Sequence, residues 1–385
     1  MNTVAVLICA FLFGGGFDHV LLETRYRVTD LGVLPEHQSS RAFSVNNRSV
    51  VVGESTQGFL TQHAFVWKIG SSMRDYMDFG VGQTVALGVS DCGYVTGTHS
   101  GVDGVSHGWI WRGGQTRGQG EKLFDLGTLG GNFCAPYAVN DNGVVVGVSH
   151  NADYKNHAFL WRDGVMNDLF PQYDFSVATD INEAGQSCGF FQDVSGASVA
   201  FLRSTDGQTL ELGTLGGDHS VALGLCDLVS GENHPRVVGS SYLSTGHRHA
   251  FLFENGEMCD LGTLENDRDG NDTTSEAFEI NNHGVVIGES VSLGAPARAF
   301  VWSRAEGMRD LQSLILCPTG APTSRTPPTF HLERVSDIND SGQIVGWGYF
   351  GEIDGDGNKP PTHAVILTPI SCPQALHNFS TKETK

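Results

Sequence analysis

Residues 280–290 read INNHGVVIGES: an apolar residue and an asparagine, a turn ending in glycine, then a β-branched run closed on a second glycine. The pattern returns throughout the chain. Aligned on that last glycine, seven copies place Gly53, Gly97, Gly147, Gly189, Gly239, Gly288 and Gly346 at one position. Before it stand Val45-Asn46, Val89-Ser90, Val139-Asn140, Ile181-Asn182, Leu225-Cys226, Ile280-Asn281 and Ile338-Asn339. Ten residues after it, in six copies, begins HAFVW, HGWIW, HAFLW, VAFLR, HAFLF or RAFVW, and in the seventh HAVIL begins seventeen residues after it. Each copy has a last part with an acidic residue, usually in Asp-Leu-Gly, at Asp30, Asp75, Asp125, Asp168, Glu211, Asp260 and Asp310.

Every part is short, rich in Val, Ile, Phe and Trp, and bounded by Asn, Asp or Gly, so each reads as a β-strand. In HAFLW alternation sends His157, Phe159 and Trp161 to one face and Ala158 and Leu160 to the other. Asn140-Asp141-Asn142-Gly143 supplies side-chain oxygens and a glycine for a tight turn. One copy is therefore expected to be a four-stranded antiparallel meander. An orphan fourth strand, residues 26–32, precedes the first copy, while the last copy ends after its third strand, residues 363–367. The surplus matches the deficit. The expected fold is all-β, a seven-bladed β-propeller of four-stranded antiparallel blades over residues 26–370, closed by the N-terminal strand completing the last blade. Residues 1–25 are set apart as a leader and 371–385 as a polar tail.

The motifs HAFLW, INxxGxVVGxS and DLGTLGG resemble the HAF repeats of predicted extracellular bacterial proteins, over about residues 26–367. That resemblance implies secretion and a repeat fold, and it brings no catalytic residues. Val199 and Arg298 depart from it at the His position, and Ser90 and Cys226 at the Asn position. The run Val4 to Phe13 followed by Gly14-Gly15-Gly16 independently suggests a secretory signal, and it is too short to span a bilayer, which needs about 20 residues. A net charge of −20 argues against nucleic acid as a partner, since phosphate binding needs clustered Lys and Arg. The eight cysteines, scattered over different repeats, form no disulfide framework.

His63, His107, His157, His249 and His363 occupy different repeats, so they are expected to tie strands together by bonding the recurrent acid rather than to converge on a metal. Contiguous catalytic motifs such as G-x-S-x-G, H-E-x-x-H and paired C-x-x-C are absent from the sequence. Function is sought where the copies differ. The connections from Leu261 to Ile280 and from Leu311 to Ile338 are long, and the loop before His363 is extended. All three insertions fall on one face of the ring. Two share E-x-D-x-D-G-N: Glu265, Asp267, Asp269 and Asn271, then Glu352, Asp354, Asp356 and Asn358. Alternating oxygen ligands before a turn glycine suggest calcium, although Glu stands where a calcium loop begins with Asp, and His363 stands at the twelfth place. The expectation is a secreted or cell-surface, non-enzymatic binding protein for a protein or glycan ligand, with the inserted loops of the sixth and seventh copies as its surface. The alternatives are a propeller-based glycan hydrolase or lyase and a purely structural surface protein.

Overall fold

The computed structural model describes residues 22–58, 61–75, 83–101, 104–112, 122–228, 231–264, 273–316 and 329–373. Among these, strands make up all regular structure except one short 3-10 turn, Gln312–Leu314. The opening stretch folds as its residues dictate. Thr274–Ile280 pairs antiparallel with Val286–Val291. Between them the Oδ1 of Asn281 accepts the amides of His283 at 3.1 Å and Val285 at 3.0 Å, and Gly284 takes φ +77. Asparagine and glycine thus build the turn between them.

The recurrent glycine of the second strand answers to a different constraint. Each first strand carries a β-bulge opposite it, for example between Ala277 and Glu279 or between Ala178 and Asp180. The bulge presses a main-chain carbonyl onto the neighbouring strand. A methyl group on Gly288 would overlap the carbonyl oxygen of Glu276, and one on Gly147 that of Ala135. The aromatic ring of the third strand closes the other side, with Phe300 Cζ 2.7 Å from that hypothetical methyl on Gly288. Only glycine fits at this position.

The sheets correct the expected blade count. Hydrogen bonding gives six sheets in place of seven separate four-stranded blades. Five sheets hold the strands of one repeat each: four are four-stranded, and the one joining the chain ends has five strands. The second and third copies share a single eight-stranded sheet, because Phe133 in Gly130–Val139 forms a parallel bridge with Ser106 in Ser106–Arg112. The cause is local. Where other copies write HAF, the second writes His107-Gly108-Trp109, and a methyl on Gly108 would lie 2.5 Å from the Cys134 Sγ and 3.0 Å from Pro136. Its absence lets the next inner strand close up and bond.

The chain ends meet in the five-stranded sheet. Leu22–Asp30 runs antiparallel to His363–Pro373 from Leu22↔Pro373 to Asp30↔Val365. Its outer edge takes the extra strand, Ile315–Leu316, in parallel. Packing agrees with the pairing, since Val345, Ala364 and Ile366 of the last repeat share one core with Ala42, Val51 and Phe65 of the first.

The core sits between neighbouring sheets. Phe65, Trp109, Phe159, Phe201, Phe251 and Phe300, the aromatic residues of the HAF-like runs, are all 0 % exposed. Burying one such side chain contributes about 1.5–3 kcal/mol. The serine two places after the recurrent glycine holds the connection between repeats, as when Ser149 Oγ accepts the amide of Leu129 at 3.0 Å. The recurrent histidine ties the third strand to the fourth. His157 Nδ1 lies 2.7 Å from Asp168 Oδ2, and its Nε2 lies 3.1 Å from the Asn151 amide nitrogen. Since that amide can only donate, Nδ1 carries the proton toward Asp168.

Candidate functional site

The inner strands enclose an axial cavity of ≈ 840 Å³. Its wall is built in tiers, each contributed by one position of the repeat. The first tier is the leading residue of each bulge: Phe43, Leu87, Tyr137, Thr179, Leu223, Phe278 and Ser336. It is an apolar collar in five of its places. Trp347 braces Phe43 edge-on at 5.8 Å, and the Arg334 guanidinium lies over Phe278 at 4.8 Å, outside the lining. In the second tier, one residue on, Ser44, Gly88, Ala138, Asp180, Glu279 and Asp337 face the cavity. A bulge turns two successive side chains to the same side, which is why adjacent residues share this surface.

The next tier is the asparagine of the turn, and it explains why that residue recurs. Asn46 Nδ2 donates to the Ser90 carbonyl at 2.8 Å, Asn140 to that of Asn182 at 3.1 Å and Asn182 to that of Cys226 at 3.3 Å. Asn281 donates to Asn339 O and Asn339 to Asn46 O, both at 3.0 Å. Ser90 and Cys226 have no side-chain amide to pass on. The last tier is the rim: Asn47, Asp91, Glu183, Asp227, Asn282 and Asp340. Side chains here accept the main-chain amide of the preceding repeat, as from Asn47 N to Asp91 Oδ1 at 2.7 Å and from Asp340 N to Asn47 Oδ1 at 2.8 Å.

Seven carboxylates thus face one cavity, and no Lys, Arg or His is among the described residues that line it. Their mutual repulsion is partly relieved by main-chain amides. Asp337 Oδ2 accepts Ser44 Oγ and Val45 N, each at 2.8 Å, and Asp180 Oδ2 accepts Leu225 N at 3.0 Å. Burial pushes Asp180 up to about 6 against these bonds, with Asp337 and Asp227 adding to the rise. At the rim burial raises Glu183 to about 7, helped by Asp141, Asp227 and Asp91. Burial also raises Asp337, and it holds Glu279 well above the usual carboxylate range together with the charges of Asp180 and Asp337. Removing a charge from water is costly, and like charges make it costlier.

The residues expected from the sequence to bind calcium form two groups. Glu265, Asp267, Asp269 and Asn271 fall outside the described residues, as do residues 317–328 of the long connection after Leu311. Glu352, Asp354, Asp356 and Asn358 form an exposed turn, in which Asp354 accepts the amides of Asp356 at 3.0 Å and Asn358 at 2.8 Å. Bonds from Asn358 hold the Asp354 carboxyl below its ordinary range. Among the described residues no three His, Cys, Asp or Glu side chains are placed to hold one metal ion. No helix of the described chain is long and apolar enough to cross a membrane. The five histidines pair with their acids as expected: His63 with Asp75, His107 with Asp125, His157 with Asp168, His249 with Asp260 and His363 with Asp30, at 2.7–3.0 Å.

What sequence reasoning missed is the acidic belt inside the first strands. Its signal was present at one place, two residues before the asparagine position, which reads Ser, Gly, Ala, Asp, Gly, Glu, Asp through the copies.

Comparison with solved structures supports the architecture. The β-propeller domain of the Trilobed protease from Pyrococcus furiosus, described as having an open velcro topology, matches over 90% of this chain and 97% of that one. The TM-score is 0.51 and the identity 9%. This chain is a β-propeller. Unlike that open arrangement, its ends are joined by strand pairing. Pyrococcus horikoshii acylaminoacyl peptidase matches with a TM-score of 0.51 and 11% identity over 89% of this propeller, which covers 53% of that chain, about half its length. TolB from Acinetobacter baumannii is similar over 60% of the propeller and 61% of its own chain, with 8% identity and a TM-score of 0.41. No family model and no curated protein sequence matches the chain.

Proposed function

We propose that the protein is a non-enzymatic binding propeller, secreted or displayed at the cell surface, that takes its ligand in the axial cavity. The observation that supports this reading is a cavity of ≈ 840 Å³ with apolar and acidic tiers converging on it from every repeat. A pocket of that size with a few fixed polar groups is the usual form of a ligand site. The described insertion, residues 351–362, lies at the collar end, because loops between second and third strands emerge opposite the first-strand turns. That loop extends the entrance to the cavity.

A hydrolase working in the same cavity is the second reading. It is favoured by the raised Asp180 and Glu279 beside each other's charge, since unequal carboxyls are the raw material of acid–base chemistry. A glycan and peptide array probed with the full chain and with Ala138→Trp, which fills the cavity from its wall, tests both. Retention lost in the variant, with the probes recovered intact, supports the binding reading. Retention equal in the two proteins overturns the cavity as the site, and cleaved probes favour the hydrolase.

A further inference from the structure

Glu279 stands apart from the other deep carboxylates. Asp337 and Asp180 each use both oxygens, the first on Ser44, Val45 and Ile338, the second on Leu225 and Ile181. Glu279 accepts one bond, from its neighbour Ile280 N to Oε1 at 3.0 Å, and among the described residues its Oε2 has no donor. The side chain is half-buried and faces the cavity. A carboxyl that faces a cavity with one oxygen unbonded and no cationic side chain in the described lining has acceptor capacity left for a donor carried by the occupant. The backbone makes room for this carboxyl. A methyl on Gly224 would lie 2.5 Å from Glu279 Oε1, so the bare glycine of the adjoining repeat is the niche in which the carboxylate rests.

One residue away along each strand lies the apolar collar, with Phe43, Leu87, Tyr137, Leu223 and Phe278. A small hydrated ion would gain nothing from these side chains. A ligand with an apolar body would bury itself against them, at about 25 cal/mol per Å². The deep carboxylates also do not converge on a single metal position. On these grounds we infer that the occupant of the cavity is an organic ammonium or guanidinium ion carried on an alkyl or aryl body, with Glu279 as its anchor and the collar around its body. This rests on the cavity being the ligand site, and it names the class of ligand.

The test is calorimetric titration of the full chain at pH 8 with five probes: hexylamine, 2-phenylethylamine, 2-phenylethanol, methylammonium and calcium chloride. The two amines with apolar bodies should bind at least 10-fold more tightly than the alcohol, which lacks the charge, and than methylammonium, which lacks the body. Glu279→Gln should weaken amine binding at least 10-fold. Gly224→Ala, which keeps every charge but fills the niche, should do the same, and Phe278→Ala should weaken the amines while leaving methylammonium unchanged. Thermal melts of each variant show that it is folded. Equal binding of alcohol and amine, amine affinity unchanged in Glu279→Gln, calcium or methylammonium bound as well as hexylamine, or no amine binding at all would overturn the inference. Array ligands that are retained in an Ala138-dependent way yet are neutral or anionic would overturn it too, while leaving the cavity reading standing.

Discussion

Asn339 donates its side-chain amide to the main-chain carbonyl of Asn46 at 3.0 Å, across 293 residues of sequence. With Val45 N to Asp337 and Asp340 N to Asn47, both at 2.8 Å, this bond joins the last repeat to the first at the axis, while strand pairing joins them at the periphery. The inner and outer closures are separate, so each can be tested alone.

Removing residues 22–30 leaves His363–Pro373 as an unpaired edge and exposes the core shared by Tyr26 and Leu367. We expect the truncated chain to aggregate or to lose its cooperative unfolding transition in urea. A truncated chain that melts like the full one would show that the outer closure contributes nothing.

Asn339→Ala removes one bond of the inner closure and also strips the turn of its Oδ1 acceptor, which receives Gln343 N at 2.9 Å. The cost should be about 1–3 kcal/mol per buried group left unpaired. Conversely, Cys226→Asn supplies the amide missing between Cys226 and Asn281 and should raise stability by about 1 kcal/mol. Differential scanning calorimetry of the two variants checks both directions.

His157 is 3 % exposed and bonded at both ring nitrogens. His157→Ala should lower stability by about 1–3 kcal/mol and leave ligand retention unaltered below its melting temperature. Unchanged melting with lost retention would place this histidine in the site rather than in the scaffold.

Stability should fall as pH rises from 5 to 8. Asp180 and Glu183 titrate near 6 and 7 in the folded chain, above their ordinary values of 3.8 and 4.5. The folded state therefore binds more protons than the unfolded state across this window, and raising pH removes that advantage. His363 acts in the same direction. Its bond to Asp30 raises it above 6.5, and the stability this bond lends to the protonated form is present below that value and is lost above the raised one. Melting temperatures at pH 5 and pH 8 measure the slope, which Asp180→Asn should flatten. A melting temperature that climbs over the same interval would contradict the assignment of the belt.

The strands, their hairpins and the histidine–acid ties were legible because each rests on local chemistry: alternation, an Asn-to-Gly turn, and a polar side chain in need of a partner. Closure was legible for a different reason, the surplus strand at one end and the deficit at the other. The separateness of the blades was not. It depended on Gly108, whose missing methyl matters only when the next strand's Cys134 is known to lie against it. The belt was hidden by its company. Asp180, Glu279 and Asp337 sit within apolar runs where alternation assigns one face inward, and a bulge in every first strand shifts that assignment by one residue. Attention to length differences among loops pointed to the insertions, whereas the identities varying at one fixed strand position carried the signal.

The chain of asparagine amides around the axis is broken twice, and the two breaks are not alike. At Ser90 the main-chain bridge between Ser106 and Phe133 spans the gap, so that join is sewn twice over. At Cys226 the join is held by side-chain bonds, Asp227 to Asn282 and Glu276 to Ser240 and Arg248. Among the described residues that seam is held without any main-chain bridge between sheets, so its spacing is set by side chains alone. Gly224 lies on one side of it and Glu279 on the other, so the side chains that set the width of this seam also frame the half-bonded carboxyl in the cavity wall.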